Sequence, residues 1–411
     1  MPSPSVVSLF TGAGGLDIGL EAAGFKVGVA VEFDSRACET LRANHRWAIV
    51  EGDIHGPAAT SDRLAEISGL APESPDLLVG GPPCQPFSKS AYWKSGDTKR
   101  LDDPRADTLT AYLRVLRDLR PRAFLLENVH GLAYSGKDEG LRLLKNSIAA
   151  INAAVGTEYS FSIAKVNAAD YGVPQTRERV IIVGARDGKV FRFPEPTHCD
   201  PESERNDDMR KPWLRAWDAI GDLEEDEGKE LIVSGKWGGL LPSIPEGQNY
   251  LWHTERGGGL RLFGWRRRFW AFLLKLAKDR PAWTVQAQPG PATGPFHWKS
   301  RKLSARELCR IQTFPDHYTV VGNRADAQKQ LGNAVPALLT EILGRQIRKQ
   351  LLGHRLKEKP LMLEVSRRRR VPPPEPTSAV PPRYLQYVGN HSPHPGTGKG
   401  YAVAARVADK I

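Results

Sequence analysis

The chain has 411 residues, and 58 Lys+Arg against 47 Asp+Glu give a formal charge of +11. Hydrophobic residues at 40% and charged residues at 26% are enough to build a sizeable core in two or three domains and exclude a wholly disordered chain. No apolar run approaches the roughly 20 residues of a membrane span. The start, MPSPSVVSLFTGAGG, lacks the basic and long apolar regions of a secretion signal. Cys38, Cys84, Cys199 and Cys309 form no CxxC pair, so neither a zinc site nor a disulfide framework is expected. A reduced, cytoplasmic protein without metal is the expectation.

In chain order, the short apolar runs 6–10, 26–32, 47–52, 76–80, 123–127, 159–166 and 179–185 read as strands. The segments 16–24, 35–45, 61–70, 106–119 and 140–154 read as helices between them. In 106–119, Leu109, Leu113, Leu116 and Leu119 supply one apolar face at helical spacing. Such alternation predicts an α/β domain over 1–190, a mostly parallel sheet with helices on both sides. Residues 191–300 lose the pattern. They carry the acidic run DLEEDEG (222–228), many Gly and Pro, and eight of the ten tryptophans, which predicts a second, smaller and irregular domain. Helical spacing returns over 301–352, so these residues are expected to pack back on the first domain and leave a cleft between two lobes. From Gly353 to Ile411 there are 11 Lys+Arg and 4 Asp+Glu, with the run RRRR (367–370) and the string VPPPEP (371–376). This reads as a flexible basic tail, either solvated or attracted to nucleic acid phosphate.

Candidate chemistry clusters at predicted strand ends. The turn TGAGG (11–15) offers Gly12, Gly14 and Gly15 where a ligand must approach the backbone closely. It lacks the spacing of a phosphate-cradling loop. Glu32, ending the next strand, suits two ribose hydroxyls, and Asp53 an adenine amino group. Together they outline a nucleoside pocket for an adenosyl cofactor without pyrophosphate. GGPPCQPFS (80–88) follows a strand directly, and its turn formers fix Cys84 at the sheet edge. Cys38, Cys199 and Cys309 lack that setting and read as buried small hydrophobes. AFLLENVHG (123–131) ends in Glu127, whose apolar flanks should raise its pKa enough to donate a proton near neutrality. In PQTRERV (174–180), Arg177 and Arg179 stand two apart, so both are expected on one face for phosphate or a base edge.

TGAGG, GGPPCQPFS, ENV, QTRERV and LGNAVP (331–336), in that order, resemble the DNA cytosine-5 methyltransferases of bacterial modification systems. The resemblance covers roughly 5–190 and 300–345, with 191–300 in place of the variable target-recognition region. It implies the S-adenosylmethionine-dependent methyltransferase fold, with a seven-stranded, mostly parallel sheet. It also implies S-adenosylmethionine as cofactor and S-adenosylhomocysteine as product. Cofactor contacts would come from Phe10, Gly12, Gly14, Gly15, Glu32, Phe33, Asp53, Ile54, Asn333, Ala334 and Val335. Cys84 matches the nucleophile, Glu127 the acid at cytosine N3, and Arg177 and Arg179 the arginines that contact the base and its loop. A thiolate adding to C6 makes C5 nucleophilic, and the cytosine must first leave the duplex. Ser88, Ser90, Lys94 and Lys99, in a loop after Cys84 that could close over the base, are candidates for phosphate. Arg261, Arg266, Arg267 and Arg268 are candidates for reading or holding DNA. The implied partner is double-stranded DNA, with a restriction endonuclease in the same system but no direct contact, and a monomer is expected. A transfer-RNA cytosine-5 methyltransferase and a non-catalytic DNA-binding regulator are the competing readings.

Overall fold

A computed structural model describes residues 2–83, 107–128, 139–202, 209–223, 228–265, 269–356, 359–368 and 370–391. The nucleophile candidate Cys84, the loop candidates Ser88, Ser90, Lys94 and Lys99, and Arg266, Arg267 and Arg268 lie outside the described residues.

Seven strands form the central sheet: β1 (Ser5–Leu9), β2 (Lys26–Glu32), β3 (Ala48–Glu51), β4 (Leu77–Gly80), β5 (Ala123–Asn128), β6 (Ser160–Asn167) and β7 (Glu178–Ala185). Their order is β3-β2-β1-β4-β5-β7-β6, parallel except for β7, which runs antiparallel to both β5 and β6. Between them come α1 (Gly15–Ala22), α2 (Ser35–Asn44), α3 (Ser61–Ser68), α4 (Asp107–Leu119) and α5 (Glu139–Val155). The strands are buried on both faces because alternate side chains feed two separate cores. Val6, Leu77, Val79, Leu125, Ile181 and Val183 enter one; Val7, Leu9, Leu78, Phe124, Leu126 and Ile182 enter the other. A period of two with both phases apolar produces the continuous hydrophobic runs seen in the sequence. The outer strand β6 is only partly buried along most of its length.

Beyond β7 the chain forms the two-residue strands β8 (His198–Cys199) and β9 (Lys211–Pro212), then α6 (Ala216–Ile220). After 3-10 turns and loops it enters α7 (Ala305–Ile311), α8 (Arg324–Asn333) and α9 (Ala337–Gln350). α9 lies on the first core through Leu338, Leu339, Leu343 and Ile347, against α1 at Gly19, where an added Cβ would sit 2.3 Å from the Ala337 carbonyl oxygen. A third apolar cluster, with the fully buried Trp298 inside it, joins α6, α7 and residues 276–285. The fourth is the core of the second lobe and holds Leu240, Leu241, Ile244, Tyr250, Leu273 and Phe296. No helix among the described residues is long and apolar enough to cross a membrane.

The expectation of a flexible tail from Gly353 is corrected over 359–368 and 370–391. This stretch is docked on both lobes and ends in a short helix, α10 (Pro382–Leu385), whose Tyr384 is buried in the second-lobe core. The physical reason is that most of its anchors are main-chain groups and a few aromatic rings, which composition does not reveal.

Candidate active site

Adjacent crossovers leave β1 in opposite directions, to β2 on one side and β4 on the other. The crevice at the carboxyl ends of such strands is where open α/β sheets bind ligands. Every described strand-end candidate lies along this edge.

On one side stands the glycine turn. The backbone leaves β1 with positive φ at Phe10 (55°), Gly12 (58°) and Gly14 (79°). A Cβ added at Gly12 would meet nothing within 4 Å, so the turn faces open space. A Cβ added at Gly15 would sit 2.3 Å from the Val335 carbonyl oxygen and 3.2 Å from Ala334 Cβ. That close approach brings the turn against the 333–335 segment, where Ala334 and Val335 are buried and Asn333 is exposed. Tyr318 donates its hydroxyl to the Ala13 carbonyl at 2.8 Å. At the end of β2, Glu32 Oε2 accepts the Gly12 N–H at 2.6 Å, and Oε1 accepts those of Phe33 and Asp34. Burial raises the pKa of Glu32 against these three donors. Phe33 is 74% exposed beside it. Beyond β3, Asp53 is exposed and accepts the His55 N–H at 2.9 Å, and Ile54 is buried. An open glycine turn, a carboxylate, an exposed aromatic ring and the exposed Asn333 suit a nucleoside bearing a charged tail. These donors and surfaces fit S-adenosylmethionine.

On the other side stand the ends of β4, β5 and the start of β7. Glu127, near the end of β5, forms an ion pair with Arg179 Nε at 2.8 Å. Its pKa is raised by burial, opposed by the charges of Arg179 and Arg177. A Cβ added at Gly81 would lie 3.1 Å from Glu127 Oε2, so this carboxyl abuts the main chain three residues before Cys84. Arg177 differs from expectation. It lies close enough to Arg179 and Glu127 to feel both charges, but it is fully buried, and it donates Nη1 to the Val285 carbonyl and Nη2 to that of Gly332. Through these two carbonyls it ties the start of β7 to the second lobe and to the end of α8. Arg261 is exposed on the second lobe, with Nη1 3.4 Å from Asn390 Oδ1. Cys38, Cys199 and Cys309 are buried, and burial pushes the thiols of Cys38 and Cys309 up to about 12.

Two groups behind the edge escaped the sequence reading. Gln175 Nε2 donates to Gln312 Oε1 at 3.1 Å, and its own Oε1 accepts the Val285 N–H. Gln312 Nε2 donates to the Leu331 carbonyl. This buried amide chain braces the 331–335 segment against the second lobe. Gln175 belongs to the quoted PQTRERV, but nothing local points to Gln312. The second group is Asp17, in the first turn of α1, buried with neither carboxyl oxygen in ordinary hydrogen-bond geometry with a partner. Burial pushes it up to about 7.

The mostly parallel seven-stranded sheet, with its antiparallel β7 and a glycine turn after β1, is the S-adenosylmethionine-dependent methyltransferase fold. Solved structures share it: a DNA modification methyltransferase encoded within an Escherichia coli prophage has a TM-score of 0.59 at 19% identity, covering 86% of this chain and all of that one. The Entamoeba histolytica methyltransferase EhMeth has a TM-score of 0.55 at 15% identity, covering 85% and 99%. Residues 5–349 match the family model of C-5 cytosine-specific DNA methylases. The type II methyltransferase M.SacI of Streptomyces achromogenes is 41% identical over 373 residues, covering 84% of this chain and 93% of its own length. M.NgoFVII of Neisseria gonorrhoeae is 34% identical, covering 81% and 83%. The chain belongs to the C-5 cytosine-specific DNA methylase family. Its enzymatic class is DNA (cytosine-5-)-methyltransferase.

Proposed function

We propose that the chain methylates C5 of a flipped-out cytosine within a specific double-stranded DNA sequence, through a temporary bond from Cys84 to C6, as the modification enzyme of a type II system. When bound, S-adenosylmethionine supplies an electrophilic methyl group on a sulfonium. The chain's own residues prepare the base to receive it. Cys84, as thiolate, adds to C6, while Glu127 shares or donates a proton at N3 and draws charge from the ring. Arg179 fixes the Glu127 carboxyl through its ion pair, and Arg177 holds the wall behind it. Loss of the C5 proton and elimination then return Cys84 to its starting state. Phe10, Gly12, Gly14, Gly15, Glu32, Phe33, Asp53, Ile54, Asn333, Ala334 and Val335 are assigned to cofactor binding. Arg261, exposed on the second lobe, is assigned to DNA binding, as are Arg266, Arg267 and Arg268.

One observation carries the reading: a buried carboxyl of raised pKa lies against the loop that leads into Pro-Pro-Cys, one strand away from the glycine turn. The names of the relatives as type II methyltransferases favour DNA over transfer RNA. Methyl-labelled S-adenosylmethionine offered with mixed duplexes and with transfer RNA should label cytosine C5 in DNA alone. Label in transfer RNA, or label on another base atom, contradicts the proposal. Cys84→Ser should abolish label while DNA binding persists.

A further inference from the structure

Three buried carboxylates, from three separate elements, turn towards the main chain of one segment. Glu341 of α9 accepts the Met362 N–H at 2.8 Å and the Leu363 N–H at 3.0 Å, and pairs with Arg345. Asp218 of α6 accepts the Arg368 N–H at 2.8 Å and is clasped by Arg215. Glu246 of the second lobe accepts the Glu375 N–H at 2.7 Å. Lys278, 2% exposed, bridges Glu246 at 2.9 Å and Glu375 at 2.7 Å, and donates to the Pro373 carbonyl. Farther along, the Ser378 N–H reaches the Pro242 carbonyl, Tyr384 stacks on Trp237, and the Gly389 N–H meets the Arg261 carbonyl at 3.2 Å.

The segment therefore starts on the catalytic lobe, passes α6, and ends beside Arg261 on the second lobe. Between the Asp218 and Glu246 anchors runs Val371-Pro372-Pro373-Pro374. Consecutive prolines hold an extended chain at about 3.1 Å per residue and resist bending. A stretch that only covered apolar surface would need neither a stiff span nor desolvated charge at its anchors, since burying charge is costly unless it is fully paired. Each anchor here is paired or hydrogen-bonded.

We propose that the described residues 361–368 and 370–391 form a strut that positions the second lobe over the catalytic edge, so that its stiffness sets the affinity for duplex DNA. This rests on the reading of the second lobe as DNA-facing. Lys278 and Glu375 are positioning residues at its central anchor.

Slack separates this role from simple packing. An insertion of about eight Gly and Ser residues between Arg370 and Val371 leaves both docked halves intact but uncouples them. DNA affinity is read by anisotropy with a labelled pool of mixed-sequence duplexes, alongside kcat, KM for DNA and the dissociation constant for S-adenosylmethionine. The insertion should weaken DNA binding and raise KM for DNA roughly fivefold or more, because ordering the lobe is then charged to binding. kcat at saturating DNA and cofactor affinity should stay within about twofold, and the same insertion after His391 should change nothing. Should the first insertion fail to fold, Glu375→Gln in the intact chain is to give the same pattern at smaller size, and Glu375→Asp is to restore part of it. Unchanged DNA affinity and KM in the folded insertion variant, or in Glu375→Gln where that variant stands in for it, overturn the strut. Absence of methyl transfer by the parent enzyme would refute the functional reading instead, and the comparison of affinities would still stand.

Discussion

Glu127 and Asp17 are both carboxyls displaced upward by burial, but their surroundings assign them opposite consequences. Glu127 has Arg179 at 2.8 Å and still has a raised pKa, so it keeps a proton further up the pH scale than an exposed glutamate. Glu127→Gln should lower kcat by about 10² to 10⁴, leave cofactor affinity unchanged, and remove the alkaline fall of the pH–rate profile that this group causes. Steady-state kinetics across pH check it; an unchanged profile would separate Glu127 from the chemistry. Asp17 has no partner in ordinary hydrogen-bond geometry, and burial raises its pKa from 3.8 to about 7 against the opposing pull of the Ser8 hydroxyl. The folded state thus holds its proton more tightly than the unfolded chain. The stability this contributes is complete below about pH 4 and is lost as pH rises through about 7. Asp17→Asn should therefore stabilise the protein at pH 8, by at most about 4 kcal/mol, and much less at pH 5. Thermal melts at the two pH values test this, and an equal effect at both would contradict it.

The elements that carry the site differ in how far the sequence disclosed them. The inner strands were legible because both phases of their period-two pattern are apolar, and the partly buried β6 because Phe161 and Ile163 alternate with polar serines. The glycine turn, Glu32 and Glu127 were legible for a related reason: each is a local departure from an apolar run at a strand end. The carbonyl partners of Arg177 were not legible because Val285 and Gly332 lie 108 and 155 residues away. Its neighbours in sequence carry no trace of them. The same distance hid Gln312. The contact between α1 and the 333–335 segment gives a prediction at this scale. Gly15→Ala would drive a Cβ to within 2.3 Å of the Val335 carbonyl, which backbone can relieve only by moving. Overpacking of this kind costs about 1–3 kcal/mol, and the displaced segment holds Asn333. Calorimetric titration should show cofactor affinity falling about tenfold or more, since 1.4 kcal/mol is already a factor of ten. Affinity equal to the parent's would remove 333–335 from the pocket.

The tail's net excess of positive charge pointed to a loose arm, yet its described part is stapled along two lobes by Glu341, Asp218 and Glu246. Backbone N–H groups are invisible to composition, so no count of side chains could have found those anchors. The surplus of cations across the chain still predicts that duplex binding weakens steeply with salt, because each neutralised phosphate releases counterions. Anisotropy between low and physiological salt should show a linear fall on logarithmic axes, and a flat line would remove phosphate contacts from the account. Methyl transfer by this chain requires Cys84 to act as a nucleophile, which a duplex carrying 5-fluorocytosine at the methylated position tests directly. With S-adenosylmethionine present, intact-mass and peptide mass spectrometry should find the DNA covalently held on Cys84, and not at all in Cys84→Ser. DNA that is methylated elsewhere, released freely, or captured on another residue would contradict the mechanism.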